Sequence, residues 1–190
     1  KIAEILGVEL SEDKEQRSAF NACGGGSQAI DKFIYYGIYD CLAAAMVLGG
    51  QKSCSWACLG FCSCQEVCPV CAIDIIDRVA VINPDICIGC GKCMEICPKK
   101  TIDMVPKGKA YIRCCSQDKG AEVNKVCRVG CIACQKCVKV CPVKCISMEN
   151  NLARIDHKKC IACGKCVEVC PKKCIEGNFK RETIDHRLKQ

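Results

Sequence analysis

Twenty-five of the 190 residues are cysteine, and their spacing carries the chemistry of the chain. Three segments are near copies of one another: Cys87-Ile-Gly-Cys90-Gly-Lys-Cys93-Met-Glu-Ile-Cys97-Pro98, Cys131-Ile-Ala-Cys134-Gln-Lys-Cys137-Val-Lys-Val-Cys141-Pro142 and Cys160-Ile-Ala-Cys163-Gly-Lys-Cys166-Val-Glu-Val-Cys170-Pro171. A fourth, Cys54-Ser-Trp-Ala-Cys58 through Cys64-Gln-Glu-Val-Cys68-Pro69, is looser at its start and ends the same way. Three thiolates two residues apart can take three irons of a 4Fe–4S cubane, leaving the fourth iron to a more distant sulfur. The cysteine before each proline is set to serve the neighbouring cluster. The proline closes the short helix that precedes it and brings no N–H needing a partner. A tetrahedral zinc site prefers two cysteine pairs separated by a long gap, and four cysteines packed into one short motif do not provide that.

The crossover rule predicts four ligand sets. Cluster one takes Cys54, Cys58, Cys64 and Cys97; cluster two takes Cys87, Cys90, Cys93 and Cys68. Cluster three takes Cys131, Cys134, Cys137 and Cys170; cluster four takes Cys160, Cys163, Cys166 and Cys141. In the looser first motif Cys62 could replace Cys64 or Cys58. Cys71, Cys145 and Cys174 follow the Cys-Pro ends and are expected as buried, packed thiols; Cys115 reads as a spectator. Cys23, Cys41, Cys114 and Cys127 lie outside the motifs and form a candidate extra site for a fifth cluster or another metal. His157 and His186, the only histidines, read as surface residues. No Ser-His-Asp arrangement, phosphate loop or GxGxxG run is present, and Gly24-Gly25-Gly26 is a turn rather than a dinucleotide fingerprint. No catalytic residue is predicted, and the chain alone is not expected to catalyse bond chemistry.

Composition agrees with thiolates on metal. A disulfide scaffold is short and secreted, with an even cysteine count; here the count is odd, the chain is longer and no signal peptide is visible. Aromatics make up 5% of the residues, too few to fill large cores, so the clusters must serve as core. The formal charge of +7 suggests nucleic acid at first. Four clusters at about −2 each offset it, and aromatic platforms interleaved with basic residues are absent, so no nucleic-acid partner is expected. The longest apolar run, Cys41 to Leu48, is far below the roughly 20 residues that span a bilayer. The chain begins at Lys1 without Met, and an N-terminal segment is expected to be missing.

These sites need elements to hold them. The Cys-Pro ends at 68, 97, 141 and 170 recur with one interval within each pair, which describes a two-motif module and its duplicate. After Pro69 and Pro142, β-branched runs split by Asp77-Arg78 and by Glu149-Asn150-Asn151 predict β-hairpins. The short segment before each Cys-Pro suits a single helical turn. Asp40 is placed to cap the Ala-rich helix that Gly49-Gly50 stops. Residues 1–10 read as a helix end and 11–22 as loop or linker. The predicted class is α+β: two tandem bacterial-type two-cluster ferredoxin modules with a small helical N-terminal segment. The predicted division is an N-terminal segment over 1–50, module 1 over 51–108, a connector over 109–130, module 2 over 131–178 and a basic tail over 179–190.

Beyond the motifs, Lys52-Ser53-Cys54-Ser55 with Cys58-Leu59-Gly60, Asp118-Lys119-Gly120 and Cys127 with Gly130-Cys131 resemble RnfB, a component of the Rnf ion-translocating oxidoreductase complex. So do Cys23 with Gly24-Gly25, Tyr36-Gly37 with Asp40-Cys41, and Ile2-Ala3-Glu4-Ile5-Leu6-Gly7. The resemblance covers nearly the whole chain. It implies an electron-relay subunit at the cytoplasmic face of the membrane. Its partners would be reduced ferredoxin and a flavin- and NAD-binding subunit, in a complex that couples electron flow to Na⁺ or H⁺ transport. It also implies membrane attachment through an absent N-terminal helix or through partner subunits, since the family's membrane helix and its first Gly/Cys-rich cluster domain are not in this chain. The rival expectation is a soluble polyferredoxin or an electron-delivery subunit of a cytosolic oxidoreductase. Exposed lysines at 92, 99, 100, 165, 172 and 173 could steer an acidic ferredoxin.

Overall fold

The computed structural model describes residues 15–177. The expected helix end at 1–10 and the tail at 179–190 lie outside them. Both predicted hairpins form. β2 (Ile73–Ile76) pairs with β3 (Val79–Ile82), and β6 (Ile146–Glu149) pairs with β7 (Leu152–Ile155), both antiparallel. Asp77 and Arg78 at one tip and Asn150 and Asn151 at the other all have positive φ, the two-residue geometry whose twist matches the flanking strands. The single helical turns also form: α2 (Ser63–Glu66), α3 (Lys92–Ile96), α5 (Lys136–Val140) and α6 (Lys165–Glu168). α1 (Cys41–Met46) is capped by Asp40, whose carboxylate accepts the Ala43 N–H at 2.7 Å. Leu48, Gly49 and Gly50 turn the chain away through positive φ.

Four strands go beyond the sequence reading. Residues 11–22, expected as loop, contain β1 (Arg17–Asn21), which pairs antiparallel with β4 (Ile102–Pro106). Within the expected connector, β5 (Ala110–Ile112) pairs with β8 (Ile175–Gly177), and α4 (Gly120–Val126) follows. The first strand of each half therefore closes against its last strand, around a central hairpin and two short helices. Ser18, Ala19 and Asn21 of β1 are buried by that pairing, which supplies the order a polar sequence does not advertise.

Each half has its own core, and the cores are built largely of sulfur. One gathers Ile146, Leu152, Ala153 and Ile175 with Cys131, Cys137, Cys145, Cys160, Cys166 and Cys174. The other gathers Ala19, Ile73, Val79, Ala80 and Ile102 with Cys23, Cys58, Cys64 and Cys93. A third cluster, Ala44, Leu59 and Phe61, seats α1. The segment around α1 leaves Ile34, Tyr36, Ile38, Met46 and Leu48 exposed. Among the described residues, no helix is long and apolar enough to cross a membrane.

Candidate iron–sulfur sites

The cysteine motifs sit where a loop turns into a one-turn helix. The loops reach that geometry through left-handed residues just before the helices: Gly91, Gln135 and Gly164. This bends each loop around a hollow. Three hollows are each lined by one cysteine triplet and one pre-proline cysteine. Cys87, Cys90 and Cys93 share one with Cys68. Cys131, Cys134 and Cys137 share one with Cys170, and Cys160, Cys163 and Cys166 share one with Cys141. The spaces are alike, about 320 to 390 Å³ between atoms, open at the mouth.

The thiol environments suit metal-bound sulfur. Backbone N–H groups point at them: Ala19 at Cys87 (3.4 Å), Ala72 at Cys68 (3.3 Å) and Ala162 at Cys160 (3.4 Å). Such bonds favour thiolate. Burial works against ionisation, pushing Cys93 and Cys137 up to about 11 and Cys166 up to about 12, with neighbouring cysteines adding to the push. Thiols of this kind are deprotonated when metal charge lies against them. Among the described residues no three of His, Cys, Asp or Glu converge as ligands of a single metal ion. The sulfurs are instead spread around the hollows, as a four-iron core requires.

The looser first motif is arranged differently. Cys58, Cys41, Cys97 and Cys93 are near enough to Cys64 for their charges to act on it; burial, then these neighbours, push it up to about 12. Cys54, expected beside Cys58 and Cys64, lines another cavity with Cys23, Cys114, Cys115 and Cys127. Of the candidate extra set, Cys23, Cys114 and Cys127 are thus together, and Cys41 is with Cys64. Cys62 lies near Tyr39, whose phenol donates to the Gly60 carbonyl at 3.5 Å. Cys145 and Cys174 are buried as expected, but Cys71 is exposed: the buried slot four residues after Cys68 belongs to Ala72, one position later. His157 is half-buried, with Nε2 3.0 Å from the Ala110 carbonyl oxygen; His186 lies outside the described residues.

That slot recurs four residues after each pre-proline cysteine, as Ala72, Thr101, Cys145 and Cys174. Thr101 Oγ1 is 3.6 Å from Cys97 Sγ, Cys145 Sγ is 3.5 Å from Cys141 Sγ, and Cys174 Sγ is 3.6 Å from Cys170 Sγ. Against a cluster-bound thiolate each of these side chains is the donor, and Ala72 has none to offer. Hydrogen bonds to sulfur raise a cluster's reduction potential. Thr101→Val is expected to lower the potential of the cluster held by Cys97 by on the order of 50 mV, as one lost hydrogen bond of about 1 kcal/mol implies. An EPR-monitored redox titration reads this, and an unmoved potential would remove Thr101 from the tuning.

Residues 123–171 match a 4Fe-4S dicluster domain and residues 80–103 a 4Fe-4S binding domain. The chain is 49% identical over 145 residues to the B component of the proton-translocating ferredoxin:NAD(+) oxidoreductase complex of Clostridium ljungdahlii, covering 75% of this chain and 51% of that protein. The chain belongs to the RnfB family. It is also 40% identical over 160 residues to the B component of the Na(+)-translocating ferredoxin:NAD(+) oxidoreductase complex of Acetobacterium woodii, covering 83% of this chain and 48% of that one. To the B component of the ion-translocating oxidoreductase complex of Methanosarcina acetivorans it is 38% identical over 162 residues, covering 84% of this chain and 61% of that one. The matches thus span about half of each RnfB relative's length, or somewhat more, and the chain carries 4Fe–4S domains of the ferredoxin type.

Proposed function

We propose that the chain relays low-potential electrons through at least four 4Fe–4S clusters in two tandem two-cluster modules. It takes them from reduced ferredoxin and passes them toward the flavin- and NAD-binding subunit of an ion-translocating complex, at the cytoplasmic face of the membrane. The observation that carries this reading is the crossover. Each hollow lined by a regular cysteine triplet is completed by the pre-proline cysteine of the other motif in its module. Two clusters so interleaved lie close enough for electrons to pass between them, and full thiolate ligation leaves no iron open for bond chemistry.

Cys90 and Cys134 are the exposed members of their triplets, so the clusters they hold lie near the surface. Lys92 is exposed and lines the first of these hollows, where it supplies positive charge for an acidic donor. The apolar surface at Ile34, Tyr36, Ile38, Met46 and Leu48 supports a subunit that is covered by neighbours in an assembly. Rapid mixing with reduced ferredoxin under anaerobic conditions tests the reading. The clusters should be reduced, and the second-order rate should fall about tenfold or more from low to high salt. A flat salt profile would remove the lysine steering, and absence of transfer at any salt would contradict the relay.

A further inference from the structure

We propose that Cys23, Cys54, Cys114 and Cys127 hold a further 4Fe–4S cubane at the junction of the two modules, with Cys41 taking the place of Cys54 in cluster one. This rests on the reading of the chain as an iron–sulfur relay and extends it. The four thiols line one cavity of about 340 Å³, the same size as the hollows of the regular motifs. They come from four separate segments: the turn after β1, the loop before α2, the turn after β5 and the end of α4.

Backbone bonds lock those segments together. Gly24 N donates to Arg113 O (3.0 Å), Ile30 N to Val126 O (2.9 Å), Arg128 N to Gln28 O (3.0 Å) and Ser53 N to Ile30 O (2.8 Å). Paired backbone therefore joins all four segments that supply the thiols. Gly25 keeps it open: a Cβ there would sit 3.5 Å from Cys23 Sγ and 3.6 Å from Cys127 Sγ, in the space between the two sulfurs.

A local contact separates Cys23 from Cys115 nearby. In the last motif the N–H two residues on donates to the thiol, from Ala162 to Cys160 (3.4 Å). The same bond occurs at Cys23, from Gly25 (3.4 Å). Cys115 instead donates its own hydrogen to the Trp56 carbonyl at 3.2 Å, as a thiol does. Cys41, for its part, is latched beside Cys64. Its N–H donates to Ser63 Oγ (2.8 Å), and Ser63 Oγ donates to Asp40 Oδ2 (2.8 Å).

The position gives the site a role. Cys58 N donates to Cys23 Sγ at 3.3 Å, and Cys114 packs against the core that contains Cys131. Cys58 belongs to cluster one and Cys131 to cluster three. The junction site thus touches the sulfur-rich core of each module, and it links the modules into one conductor.

Iron and acid-labile sulfide in the anaerobically purified chain test this. About 20 iron atoms are expected, against about 16 for four clusters. Cys114→Ala and Cys127→Ala should each lose about four irons, while Cys115→Ala keeps them all. A wild-type chain with about 16 irons overturns the proposal without needing a variant to fold. So does loss of four irons from Cys115→Ala with Cys114→Ala unchanged. A chain of 16 irons that still accepts electrons from ferredoxin fails this proposal alone; a chain without iron fails the relay reading beneath it.

Discussion

Lys52→Met is expected to destabilise the protein by about 1–3 kcal/mol, the scale of leaving buried carbonyls without their donor. The Lys52 side chain is 1% exposed, and its ammonium lies 2.9 Å from Asp31 Oδ1. It also donates to the carbonyls of Gly26 (2.7 Å) and Ala29 (3.3 Å). One cation therefore ties the turn after Cys23 to the segment that carries Cys54. Burial alone would push the Asp31 carboxyl up, but the hydrogen bonds and charges of Lys52 and Arg78 hold it below the ordinary carboxylate value. A lowered folded value means that the stabilisation is present at neutral pH and is lost as the pH falls through it. Anaerobic denaturant titration of Lys52→Met checks the loss. Asp31→Asn added to it should recover little, because Arg78 still pairs the carboxylate at 2.7 Å when Lys52 is gone; a single variant as stable as wild type would contradict this role of Lys52.

The second large effect is on the cores themselves. Half of the buried members of the core around β6 and β7 are cysteines, and few large apolar side chains are left to hold the hairpin. Where metal binding and folding are one equilibrium, removing the metal removes the fold. Stripping iron anaerobically with a chelator and reductant is therefore expected to abolish cooperative unfolding and to expose the amides of β2–β3 and β6–β7 to hydrogen exchange. Persistent protection in the stripped chain would show that the apolar residues suffice without clusters.

Much of this architecture was legible because the signals were local. Asp77-Arg78 and Asn150-Asn151 sit between β-branched runs, and both become two-residue hairpin tips. Asp40 reads as a helix cap and acts as one. The strands that escaped notice, β1 with β4 and β5 with β8, take their order from partners far along the chain, and Arg17-Ser-Ala-Phe-Asn21 shows no apolar alternation. The placement of Cys54 is non-local in the same way. Only three residues separate it from Cys58, yet the backbone turns between them, and the cysteine brought near Cys64 is Cys41, held by Asp40 and Ser63. Spacing identifies sulfur that can bind iron; which sulfurs share an iron core depends on contacts between distant segments.

The central claim is that these thiols hold iron–sulfur cubanes. Metal and acid-labile sulfide analysis of the anaerobically isolated protein, with EPR of the dithionite-reduced sample, addresses it most directly. Iron and sulfide in equal amounts, at about 16 or more of each per chain, with signals of interacting reduced 4Fe–4S centres, are the predicted result. Zinc in place of iron, or disulfide bridges joining the motif cysteines, would contradict it.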